Sequence, residues 1–213
     1  MQRSLPRLFI ACLLAIGVAT LVACEATGPT GPTTSTPSGV APAGSEQLGA
    51  AVSAGLAQVR AATAAFHDID GANAAGYTVW SPDPFAPGAT CPSNPAGNMG
   101  YHLVNVGLRG SAANPAAGDA VIDPLRPEML LFERRADGEM HLVGVEYLVF
   151  KAAWEREYGV GAAPPTVLGQ PLPLSSHTFV TGGPSIDHYE VHVWVWSNNP
   201  LGMFSPWNPG VSC

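Results

Sequence analysis

The chain has 213 residues, 46% of them hydrophobic and 12% charged, with nine Lys and Arg against sixteen Asp and Glu. That is enough apolar material for one ordinary domain. An acidic balance without basic clusters argues against nucleic acid and anionic membrane surfaces as partners.

The first seven residues are short and basic, and Leu8 to Ala23 is an apolar run without charge. The run is shorter than the about 20 residues a bilayer span needs, and it has the shape of a secretory signal. It ends Leu21-Val-Ala-Cys24, which resembles the lipobox of bacterial lipoproteins. The resemblance implies cleavage after residue 23, lipidation of Cys24 and a membrane held through that anchor. Glu25 stands where inner-membrane lipoproteins commonly carry Asp, which implies the outer membrane or the cell surface.

Loss of residues 1–23 removes Arg3 and Arg7 and no acid, leaving seven Lys and Arg against sixteen Asp and Glu, a formal −9. Cys12 leaves with the signal and Cys24 takes lipid. Cys91 and Cys213 remain in an exported, disulfide-permissive chain and are expected to pair. Closing so long a loop contributes about 4–5 kcal/mol in the chain-entropy picture. Residues 24–45 are rich in Pro, Gly, Thr and Ser and read as a flexible tether. Residues 46–213 read as a single globular domain.

In that domain Ser45 is a candidate N-cap, with Glu46 and Gln47 in the first turn. Leu48, Val52, Leu56, Val59, Phe66 and Ile69 recur at helical steps, one amphipathic stripe. The helix should falter near His67-Asp-Ile-Asp-Gly71 and stop at Gly76. Asp68-Ile-Asp-Gly-Ala-Asn73 resembles a calcium loop, but its glycine is fourth and not sixth, so it reads as punctuation. Tyr77 to Ser81 and Met99 to Val106 are strand candidates, separated by a Pro/Gly-rich loop. Residues 107–127 read as loop. Glu128 to Arg134 and Met140 to Phe150 form a hairpin about Ala-Asp-Gly-Glu. Lys151 to Tyr158 is a short helix, followed by loop, a weaker strand over Ser176 to Thr181, and a last strand. A helix followed by strands predicts an α+β fold, with an N-terminal amphipathic helix packed on a mainly antiparallel sheet bearing long Pro/Gly-rich loops. Such loops are often functional.

The last strand, His188-Tyr-Glu-Val-His-Val-Trp-Val-Trp196, alternates strictly. Val191, Val193 and Val195 point one way, and Glu190, His192, Trp194 and Trp196 the other. The 140–150 strand is apolar on both faces except for Glu146, and a buried carboxylate needs a partner or a metal. His102, in a third apolar strand, and His192 are the candidates to meet it. Two histidines and a carboxylate suit zinc, iron or copper. A satisfied polar core around Glu146, or an acid–base pair without metal, uses the same residues. His188 lies about 13 Å from His192 along a strand, too far to share one ion. His141 reads as solvated, and His67 and His177 carry no signal. Nucleophile elbows, phosphate-cradling glycine loops and dinucleotide fingerprints do not occur. Trp194, Trp196 and Trp207, near Met203 and Phe204, either line a groove for an apolar or sugar ligand or pin the tail as a secondary core.

Met99-Gly-Tyr-His102, Arg126-Pro-Glu128 with Leu130-Leu131, Val145-Glu-Tyr147 and the run from His192 to Cys213 together resemble a family of exported, often lipid-anchored bacterial proteins. The resemblance covers most of 60–213. It implies one folded exported domain and points to His102, Glu146 and His192 as motif positions, without implying a substrate. Two functions follow as expectations: a metal-binding protein using those three residues, or a non-catalytic envelope protein binding a partner through its aromatic C-terminal surface and long loops.

Overall fold

The computed structural model describes residues 49–81, 90–179 and 183–213, which all belong to one compact unit, Ala41–Cys213. The signal, Cys24, the tether and the Ser45 cap lie outside the described residues. Among the described residues, no helix is long and apolar enough to cross a membrane.

Helix α1 spans Ala50–Thr63 and buries Leu56 and Val59. It tightens into a 3-10 turn over Ala64–His67, and α2 follows over Ile69–Ala74. The break is local chemistry: Asp68 leaves the helical region, and its carboxylate accepts from the Asp70 amide at 3.0 Å, capping α2. Gly76, at φ +95°, then turns the chain out of the helix.

The strands are β1 (Val79–Ser81), a two-residue pair β2 (Ser93–Asn94) and β3 (Gly97–Asn98), β4 (Tyr101–Val104), β5 (Met129–Arg134), β6 (Met140–Phe150), a second small pair β7 (Thr166–Val167) and β8 (Gln170–Pro171), β9 (Leu174–Thr178) and β10 (Ser185–Val193). Six of them make one sheet in the order β1-β4-β5-β6-β10-β9, with every neighbouring pair antiparallel. The fold is α+β. Helix α3 (Val106–Arg109) and a 3-10 turn at Pro115–Ala117 interrupt 107–127, which therefore is not all loop. Asn105 starts α3 by accepting from the Leu108 amide. Helix α4 covers Lys151–Tyr158.

The rest of 107–127 is strapped to the sheet. Tyr77 Oη donates to the Pro127 carbonyl and Tyr147 Oη to that of Pro124, each at 2.7 Å. Buried Glu128 accepts from the Leu148 amide at 3.0 Å. Strand β6 is central: Val145, Tyr147 and Val149 join Leu56 and Val59 of α1 and Val191 and Val193 of β10 in one apolar cluster.

The last strand ends at Val193, earlier than its alternation suggests, because the Trp194 amide turns to the Met203 carbonyl. From there the tail folds back over the sheet. Asn98 and Asn208 exchange backbone hydrogen bonds, Asn98 Nδ2 donates to the Val211 carbonyl, and Asn208 Nδ2 to that of Asn198. Gly97, at φ +134°, sits where a Cβ would meet the Asn208 carbonyl carbon at 2.5 Å. Cys91 and Cys213 form the expected disulfide, with Cα atoms 5.8 Å apart.

Candidate metal centre

His102 lies on β4, Glu146 on β6 and His192 on β10. Glu146 and His192 are direct cross-strand partners, so their side chains share a face. His102 pairs with Leu131 of β5, and Met129 of β5 pairs with Glu146. In a flat sheet, β4 and β10 would stand about 14 Å apart, three strand spacings. Yet His102 Nε2 and His192 Nε2 approach to 3.2 Å. The sheet curls, and its concave face brings together side chains from three strands.

The third corner is Glu146 Oε2, 3.3 Å from His102 Nε2 and 3.7 Å from His192 Nε2. A tetrahedral metal with bonds of about 2.0–2.1 Å spaces its ligands about 3.3–3.4 Å apart. A circle through three atoms with the observed separations has a radius of about 2.0 Å, so a single ion reaches all three at normal bond lengths. All three residues are buried. Glu146 Oε2 is within range of His102 but lacks the angle of a hydrogen bond, and it has no hydrogen-bond partner. Buried acceptors left this way are uncommon, and an ion is one of the few things that satisfies them.

The electrostatics agree. Burial, and then the charge of His192, push His102 down to about 3. Burial brings His192 down to about 4. Both rings are therefore neutral at physiological pH, the form that binds metal. Burial, and then the charge of Glu190, push Glu146 well above the carboxylate range. Burial would raise Glu190 too, but hydrogen bonds from His177 and His188 outweigh it and hold Glu190 below that range. Of the two carboxylates, Glu146 is the one burial makes more basic.

A cavity of about 310 Å³ opens at this point, lined by His102, Met129, Glu146, His177, Glu190 and His192 among others. His188 stays out of the first triad, as strand geometry requires. It is nonetheless grouped with His177 and Glu190. His177 is the residue that sequence reasoning missed: Leu174-Ser-Ser-His-Thr178 lacks the apolar alternation that would mark an informative strand. His141 is half-buried, with its Nε2 shut off from solvent.

None of the three tryptophans lines the cavity at the triad. Trp194 is fully buried, donates from Nε1 to the Ser205 carbonyl at 2.6 Å, and packs with Leu131, Val143 and Val211. Trp196 is half-buried, donates to Thr63 Oγ1 and meets the His67 ring edge-on. Trp207 is also half-buried, and its carbonyl is taken by Asn199 Nδ2. The tail folds back over Trp194, while Trp196 and Trp207 keep part of their surface exposed. No family model, curated protein or solved structure matches the chain.

Proposed function

We propose that this chain is a metal-binding protein of the bacterial cell envelope, anchored by lipid at Cys24, which holds a divalent transition metal between His102, Glu146 and His192. The observation that carries the reading is the triangle of donor atoms 3.2, 3.3 and 3.7 Å on a side, with Glu146 Oε2 buried and otherwise unpartnered. Two imidazoles and one carboxylate suit zinc, iron or copper. Three protein ligands leave coordination positions free, and the cavity gives a small molecule room to take one. Removal of the signal and lipidation of Cys24 rest on Leu21-Val-Ala-Cys24, and the disulfide suits an oxidising compartment.

The test is metal content of the full chain, purified oxidised and then dialysed against zinc, copper, iron and manganese in turn. The expected result is at least one equivalent of one of these metals, lost in both Glu146→Gln and His192→Ala while near-UV circular dichroism stays native. Absence of bound metal under every condition overturns the reading.

A further inference from the structure

A second cluster occupies the same concave face. His177 of β9 and His188 and Glu190 of β10 each place a donor atom within 4.8 Å of the others. Glu190 Oε2 is 3.1 Å from His188 Nε2 and 3.6 Å from His177 Nε2. The register explains the meeting. His188 pairs with Ser175 and His177 with Ile186, so the histidines are diagonal neighbours on one face, with ring centroids 4.3 Å apart.

His188 is fully buried, and its Nδ1 lies 2.8 Å from the Ile186 carbonyl oxygen. A carbonyl only accepts, so Nδ1 carries a hydrogen, and Nε2 is the nitrogen presented to Glu190. A proton on Nε2 or a metal ion answers that 3.1 Å contact. An Nδ1–H donated to a backbone carbonyl is also the device that fixes the tautomer of metal-ligating histidines. The charge of Glu190 acts on Glu146, and both line the same cavity. His177 and Glu190 line the cavity of the first triad, and the His177 side chain is 49% exposed, at the rim.

We propose that His177, His188 and Glu190 form a second metal position. With His102, Glu146 and His192 it makes a two-metal centre of four histidines and two glutamates, all but His188 lining one cavity. The two-metal description rests on the first site being real; the second position does not.

The experiment is equilibrium dialysis of the full chain against zinc alone, comparing wild type with His177→Ala and Glu146→Gln. His177 is half exposed, so its replacement leaves the core intact, and near-UV circular dichroism checks this for both variants. Two equivalents in wild type are expected. His177→Ala should weaken one by at least about tenfold, since even outer-shell losses cost that much, and Glu146→Gln should weaken the other. One wild-type equivalent that survives His177→Ala but not Glu146→Gln overturns the second position and leaves the first standing. One equivalent lost in His177→Ala and kept in Glu146→Gln supports the second position and overturns both the first site and the two-metal centre. No zinc at all overturns everything.

Discussion

The C-terminal tail and the concave cavity are both rich in buried polar groups, and they treat those groups in opposite ways. In the tail, donors meet acceptors: Asn98, Asn199, Asn208 and Trp194 each bond a backbone carbonyl. In the cavity, three atoms crowd within 3.7 Å and one of them, Glu146 Oε2, bonds nothing. Burial alone therefore does not separate structure from site. The test is whether each polar group finds its complement within the chain. The tail answers its own polar groups, and the cavity leaves one buried acceptor without a partner.

That contrast is open to attack. The largest effect should come from the tail's covalent tie. Cys91→Ser with Cys213→Ser should lower stability by about 4–5 kcal/mol on the chain-entropy estimate, measured by urea unfolding. Next, Glu146→Gln should weaken metal binding by more than about 100-fold, since outer-shell losses already cost about 10–100-fold. The same change should leave the thermal midpoint of the metal-free protein unchanged or raised, because it removes an unpartnered buried carboxylate. A large loss of metal-free stability would mean Glu146 is structural. Asn208→Ala should do the reverse. It orphans the Gly210 amide and the Asn198 carbonyl, which should cost about 1–3 kcal/mol and leave metal per folded molecule unchanged.

Glu128 gives the pH test. Burial raises it from 4.5 to about 8, against the opposing bond from the Leu148 amide. A carboxyl raised on folding binds its proton more tightly in the native state, so its stabilisation is full below pH 4.5 and is lost as pH rises through about 8. Metal-free protein should therefore lose stability across that window, and Glu128→Gln should flatten this part of the slope in thermal melts. The smallest effect is at α2: Asp68→Ala removes its cap and should cost about 1 kcal/mol, with no response to added calcium.

Much of this was legible in residue order. Glu146 announced itself as a lone charge on an otherwise apolar strand, and the alternation of β10 put His192 on its polar face. The cysteines paired by elimination. Two things were hidden because they depend on distant chain. His177 acquires its meaning from the register of β9 on β10, not from its own neighbours. Trp194 looked available to a ligand because alternation says which way a side chain points, not what later covers it. The length of 107–127 looked functional too, yet Tyr77, Tyr147 and Glu128 bind that loop and its end into the sheet.

The meeting of His102 and His192 across 90 residues also fixes an order of events. Zinc fingers gather ligands from short local spacings, so the ion can help such a chain fold. Here no fragment short of β4 through β10 holds the first triad, and the loop between its histidines must be closed before an ion gains anything. A cation bound at the proposed site is then a late passenger, not a nucleus. Folding rate should be indifferent to metal, unfolding should slow with it, and the ion should enter a finished protein, past the half-exposed ring of His177.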